Sequence, residues 1–155
     1  MRYWRYETSL REVTLFPFVC WHLGASQSDE KFIKEMIARV KDDPTARWFY
    51  MGDAGECVTR SSKGDIFTQT MTLTEQAKAF VALVQPIKEK RLFGIRGNHG
   101  NRVYKETGMD FDEDLCMRLQ MPYLGVSVFW HLMFSRLNTA YDIFCHHGLD
   151  SGATM

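Results

Sequence analysis

The chain has 155 residues, 45% hydrophobic and 25% charged, a globular composition long enough to bury one sizeable core. Lysine plus arginine and aspartate plus glutamate number 19 each, so no net charge draws it to nucleic acid or an anionic membrane. Cys20, Cys57, Cys116 and Cys145 form no CxxC pair, which argues against a disulfide framework and for a reducing, intracellular setting.

The N-terminus, Met1 to Glu7, lacks the apolar run of a signal peptide. Val13 to Cys20 is an apolar run rich in strand formers. Ser28-Asp29 then offers a helix cap, and Phe32, Ile33, Met36, Ile37 and Val40 recur at helical spacing before Pro44. Arg47 to Met51 reads as a second strand ending at Gly52-Asp53, and Thr59–Gly64 as a polar loop. Thr74 can cap a helix carrying Ala77, Phe80, Val81 and Val84, which Pro86 ends or kinks. Arg91 to Arg96 is a third strand, and Asp110 to Leu119 a short helix. Tyr123 to Phe134 and Tyr141 to Cys145 complete the strands. The most apolar stretch, Pro122 to Phe134, is too short to span a bilayer, so the expectation is a soluble, cytoplasmic protein with no membrane partner.

Alternating strands and helices predict an α/β layered fold with a largely parallel first sheet, in one domain spanning 1–155. Metal-capable side chains stand at the C-terminal ends of four strands: Cys20 and His22, Asp53, Asn98 and His99, and His146 and His147. In open α/β sheets that edge is where ligands bind. Singly, each has a plain structural explanation. Gly52-Asp53 reads as a turn, Asn98 as a left-handed turn residue, His22 as a half-buried histidine and Arg102 as a solvated surface residue. Their order carries more weight than any one of them.

Cys20-Trp21-His22, Gly52-Asp53-Ala54-Gly55-Glu56, Gly97-Asn98-His99-Gly100 and His146-His147-Gly148 together resemble the calcineurin-like metallophosphoesterases. That family carries DxH, GDxx(D/N/E), GNH(E/D), a strand-end histidine and a final GHxH in this order. The resemblance runs from about Val13 to the C-terminus. Ser62-Lys63-Gly64-Asp65 and the run Gly97 to Gly108 are similar to members carried by bacteriophages. It implies a layered α-β-β-α sandwich and a metal-dependent phosphoester hydrolase, either a phosphodiesterase or nuclease or a phosphatase. Two divalent ions, Mn, Fe, Zn or Ni, would activate a water as hydroxide. The resemblance assigns Cys20, His22 and Asp53 to one ion and Asp53, Asn98 and a strand-end histidine to the other, with Asp53 bridging. His147 is preferred over His146 for that last ligand. His99 would face the substrate and protonate the leaving oxygen, and Arg102 would hold phosphate oxygens through its fork. The substrate is a phosphoester, with DNA, RNA and small phosphomonoesters all open.

Three positions depart from the family pattern. Cys20 replaces the aspartate of DxH; it is either a softer ligand biasing the site toward zinc or a small buried residue that leaves the first site crippled. Gly100 replaces the acid after GNH and implies the loss of a partner behind the ligands. No GHxH follows, so the resemblance implies a sandwich incomplete at the C-terminus, each ion one ligand short, and apolar side chains of Tyr123 to Phe134 without partner strands. A non-catalytic scaffold of the same fold, binding metal, nucleic acid or a partner protein, is the alternative. His131 matches no motif and reads as structural.

Overall fold

No element is predicted for the N-terminal residues, yet Arg2–Thr8 forms a strand, β1, in the computed structural model, which describes residues 2–60, 62 and 68–148. The remainder of the Thr59–Gly64 loop and the phage-like Lys63-Gly64-Asp65 lie outside the described residues. The apolar run after Val13 gives β2 (Thr14–Phe18), and helix α1 (Glu30–Asp42) follows, capped by Asp29 Oδ1 accepting from Phe32 N at 2.9 Å. Ile33, Ile37 and Val40 are buried on its inner face; Phe32, assigned to that face by spacing, is exposed instead.

Strand β3 (Ala46–Tyr50) is followed by α2 (Leu73–Val84). The cap of α2 is Thr72, two residues before the expected Thr74. Thr72 and Glu75 form a reciprocal capping box, which satisfies two end groups at once and outcompetes a lone threonine. As expected of Pro86, α2 ends just before it, at Val84, and the chain runs on as a 3-10 helix over Gln85–Lys90. Strand β4 (Arg91–Gly94) stops two residues short of Arg96. Helices α3 (Asn98–Thr107) and α4 (Phe111–Arg118), and strands β5 (Ser127–Phe134) and β6 (Thr139–His146), complete the order.

Among the described residues the six strands make two three-stranded sheets. One is all parallel in the order β2-β3-β4; the other runs β1-β5-β6, with β1 parallel and β6 antiparallel to β5. On one face of the parallel sheet, Phe18, Trp48 and Tyr50 pack with Ile33, Ile37, Phe80, Val84 and Leu115 of the helices. On its other face, Phe49, Leu92, Phe93 and Ile95 meet Val128, Trp130, Leu132 and Phe134 of β5, joining the two sheets through a second core. The protein is thus mixed α/β, with four α-helices and two small sheets among the described residues.

The second sheet corrects the expectation that residues 123–134 lie unpartnered. Strand β5 is the central strand, paired along its length by both β1 and β6. Its alternate residues Val128, Trp130, Leu132 and Phe134 are buried, each worth about 1.5–3 kcal/mol over exposure. Tyr3 and Phe144, which flank Phe129 on the opposite face, are exposed. No described helix is long and apolar enough to cross a membrane.

Candidate metal centre

Beyond the ends of β2, β3 and β4 the chain continues in register through tight turns. Cys20 N donates to Gly52 O (3.3 Å), His22 N to Asp53 O (3.1 Å) and Leu23 N to Ala54 O (2.8 Å). Cys20, His22 and Asp53 each have positive φ, at 56°, 47° and 60°. For non-glycine residues such a conformation costs about 1–2 kcal/mol each, a strain that gathers at functional sites. Asn98 does not share it. Instead of sitting in a left-handed turn, it opens α3 directly after the cap residue Gly97.

Asp53 is 2% exposed and stands between two groups of donors. On one side, donor atoms of Cys20, His22 and Asp53 all lie within 4.8 Å of one another. On the other, His147 Nε2 is 2.9 Å from Asp53 Oδ2 and 2.8 Å from Asn98 Oδ1. The opposite ring nitrogen of His147, Nδ1, donates to Met51 O at 2.5 Å. With that proton fixed, Nε2 turns its remaining lone pair toward two oxygens, an arrangement that only a further proton or a cation can hold together. Donor atoms this close match neighbouring ligands on one divalent ion with bonds of about 2.1 Å.

The electrostatics agree with a cation-ready site. Burial alone would raise Asp53, but hydrogen bonds from His147 and from His99 N–H (2.8 Å to Oδ1) outweigh it and hold the carboxyl below its usual range. The hydrogen bond to Asp53, working against burial, raises His147. Burial and the neighbouring His99 lower His22, favouring the neutral imidazole that binds metal. His22 Nδ1 lies 3.0 Å from Glu56 Oε2 but off the hydrogen-bond direction, and is a buried atom with no hydrogen-bond partner. The orphaned imidazole nitrogen of His22 fits a divalent ion, and so does His147 Nε2 once the ion displaces the proton it shares with Asp53.

Cys20 is exposed, which removes the reading of it as a buried core residue. Partial shielding of the thiol from solvent and then the nearby Asp53 push its pKa up, so a metal ion would have to displace its proton. His146 is not in the cluster: its Nδ1 accepts from Gly148 N (2.9 Å) and its ring stacks on Phe144. His147 lies just past the end of β6 and turns its ring to Met51 O and Asp53. Of the two histidines, His147 alone reaches the donors.

His99 meets His22 edge to face, with ring centroids 4.4 Å apart. Its Nδ1 donates to Glu56 O (2.7 Å), and its Nε2 accepts from Arg102 Nη2 (3.0 Å). Arg102 is therefore a partner of His99 rather than a freely solvated side chain. A cavity of about 380 Å³ beside the first donor group is lined by Cys20, Trp21, His22, Gln27, Ser28 and Glu56. A smaller one of about 130 Å³ beside the second is lined by Arg96, Asn98, Asn101, Val126, His146 and His147.

Two buried polar side chains behind the turns carry no motif and are missed by sequence reading. Gln76 of α2 is fully buried; its Oε1 accepts from Cys57 N (3.1 Å) and its Nε2 donates to Met71 O (2.9 Å). A Cβ on Gly24 would come within 2.7 Å of its amide nitrogen, so that glycine admits it. Asp112 of α4, also fully buried, is raised to about 7 by burial. Its carboxylate fills the space beside Gly100, where a Cβ would lie 2.8 Å from Asp112 Cγ and closer still to Oδ2. The signal in the sequence is Gly24 and Gly100 themselves, but what a glycine makes room for cannot be read from the glycine. Comparison with protein-family models, curated proteins and solved structures gave no match.

Proposed function

We propose that this chain is a metal-dependent phosphoester hydrolase of the calcineurin-like kind, holding two divalent ions on either side of Asp53. The observation that carries the reading is the convergence of donors from four strand ends on one buried carboxylate, with Cys20 and His22 on one side and Asn98 and His147 on the other. The layered α-β-β-α sandwich is part of the same proposal, supported by two apposed sheets with helices packed on the parallel one.

When bound, the ions would supply Lewis acidity toward a phosphoryl oxygen and acidify a water. The chain does the rest. Asp53 holds a charge available to both donor groups, while the neutral amide of Asn98 adds an oxygen without further negative charge. His99 is fixed as the Nδ1–H tautomer between Glu56 O and Arg102. In this tautomer Nε2 carries no proton, so it can serve a leaving oxygen as general acid only after Arg102 lets go of it and it has taken up a proton from solvent. A phosphate group, by drawing the guanidinium to its own oxygens, would free that nitrogen and orient the substrate in one step.

The test is calorimetric titration with Mn²⁺ and Zn²⁺, followed by hydrolysis of bis-p-nitrophenyl phosphate and of short single-stranded DNA and RNA. Binding of two ions with turnover that Asp53→Asn abolishes supports the reading. Binding without turnover on any of these substrates favours the non-catalytic scaffold, and absence of metal binding overturns both.

A further inference from the structure

We propose that Asp112 is a positioning residue that holds the turns carrying Asp53 and Asn98 at a fixed separation; its consequence for metal binding rests on the two-ion reading above. The carboxylate arrives from α4, outside every motif, and is fully buried. Its Oδ2 accepts from Gly97 N at 3.2 Å, the amide immediately before Asn98. Its Oδ1 accepts from Tyr50 Oη, which itself accepts from Ala54 N at 3.0 Å, the amide immediately after Asp53. One side chain thus ties the amide that precedes one candidate ligand to the amide that follows the other.

The surroundings are shaped to admit it. Only a glycine at 100 lets α3 lie against the carboxylate, since a Cβ there would come within 2.8 Å of Asp112 Cγ. The two turns also touch directly: a Cβ on Gly52 would be 3.0 Å from Arg96 C and closer to the Gly97 backbone. Contact fixes how near the turns can come, and the hydrogen bonds through Asp112 fix how far apart they can drift. A buried carboxylate is costly, and without both acceptor bonds nothing on the apolar side of α4 would retain it. Gln76 performs the corresponding task on the far side, where it holds the chain at Cys57.

The variants separate the parts of this arrangement. Asp112→Leu removes both acceptors at similar size. Asp112→Asn keeps one acceptor for Gly97 N–H and turns an amide N–H toward Tyr50 Oη. Tyr50→Phe cuts only the branch to Ala54. The experiment is amide hydrogen exchange by mass spectrometry on the whole, chelator-treated chain, with Mn²⁺ calorimetry on the same samples.

For Asp112→Leu the expectation is at least about tenfold faster exchange in residues 51–56 and 96–99, with α1 and β5 unchanged. Its Mn²⁺ affinity should fall by about 10–100-fold, the usual effect of losing a group behind metal ligands. Asp112→Asn should recover most of both, and Tyr50→Phe should loosen 51–56 alone. Should Asp112→Leu fail to fold, Tyr50→Phe and Asp112→Asn decide the matter by the same readouts. Faster exchange spread evenly over the chain, or no local change, overturns the positioning role. So does local loosening with Mn²⁺ affinity equal to the parent's. A parent that binds no Mn²⁺ but shows the local pattern overturns the two-ion reading and leaves the positioning of the turns standing.

Discussion

Gly97→Ala tests the contact on which the whole centre depends. Gly97 sits at φ −93° and ψ 174°, a backbone geometry that alanine adopts freely, so the substitution adds no backbone strain. What it adds is a methyl group 2.5 Å from Asp53 N and 2.8 Å from Asp53 Cγ. To reach ordinary contact at 3.4 Å, the Asp53 nitrogen must retreat by roughly 0.9 Å. That movement lengthens the bond from His99 N to Asp53 Oδ1, now 2.8 Å, and the contact with His147 Nε2, now 2.9 Å. Overpacking costs about 1–3 kcal/mol and a lost bond to a charged group about 1.5–3, together about 2.5–6 kcal/mol. A domain of ordinary stability, about 5–15 kcal/mol, would survive that weakened. Urea unfolding should show a lower midpoint with an unchanged slope, and calorimetry a Mn²⁺ affinity at least about tenfold poorer. Gly108→Ala is the control. There a Cβ meets nothing, but φ is +75°, so only backbone strain of about 1–2 kcal/mol is expected, without effect on metal. If Gly97→Ala matches the parent in both stability and Mn²⁺ affinity, the two turns are not in contact and the centre is not built as described.

Asp53→Asn should remove binding of both ions in calorimetry, because its carboxylate serves both donor groups, whereas His146→Ala should bind like the parent; equal losses would mean the histidine assignment is wrong. Cys20→Asp should raise Mn²⁺ affinity and weaken any preference for Zn²⁺, since a carboxylate suits the harder ion. Unchanged affinities for both ions would show that the thiol never ligates. Asp112 gives a pH signature: its folded pKa of about 7 lies above the unfolded value of about 3.9, so its contribution to stability is complete below about pH 4 and is lost as pH rises to 7. With chelator present, Asp112→Asn should therefore lose less stability than the parent between pH 4 and pH 8, by on the order of 4 kcal/mol at most. Parallel unfolding midpoints for the two proteins at both pH values would refute that.

The elements that the sequence announces are those whose signal is local. A helix such as α1 writes its cap and its apolar stripe into consecutive residues, and the apolar runs around Phe16 and Phe49 are rich in strand formers, the second of them largely buried. Strand β1 is illegible for the opposite reason. Arg2-Tyr3-Trp4-Arg5-Tyr6-Glu7-Thr8 is exposed on one face, and its register is supplied by β5, more than 120 residues away. Helix α3 is hidden because Gly97-Asn98-His99-Gly100 has the composition of a loop, and packing against α4 supplies what propensity does not.

The candidate site divides along the same line. Donors can be found in sequence because chemistry restricts them to a few residue types at strand ends, and Cys20, His22, Asp53, Asn98 and His147 do come together. The resemblance prefers His147 over His146, and in the structure His147, the first residue after β6, turns its ring to Met51 O, Asp53 and Asn98. The groups that hold the donors obey no such restriction. Any element passing behind the turns could deliver a carboxylate to Gly97 N, and here α4 does so from residue 112. The glycine at 100, which in sequence looks like the loss of an acid, is therefore better understood as the opening through which another one enters. Metal ligation would constrain the atoms that touch an ion far more tightly than the route by which their supports arrive, so candidate ligands can be found in a sequence while the groups behind them cannot.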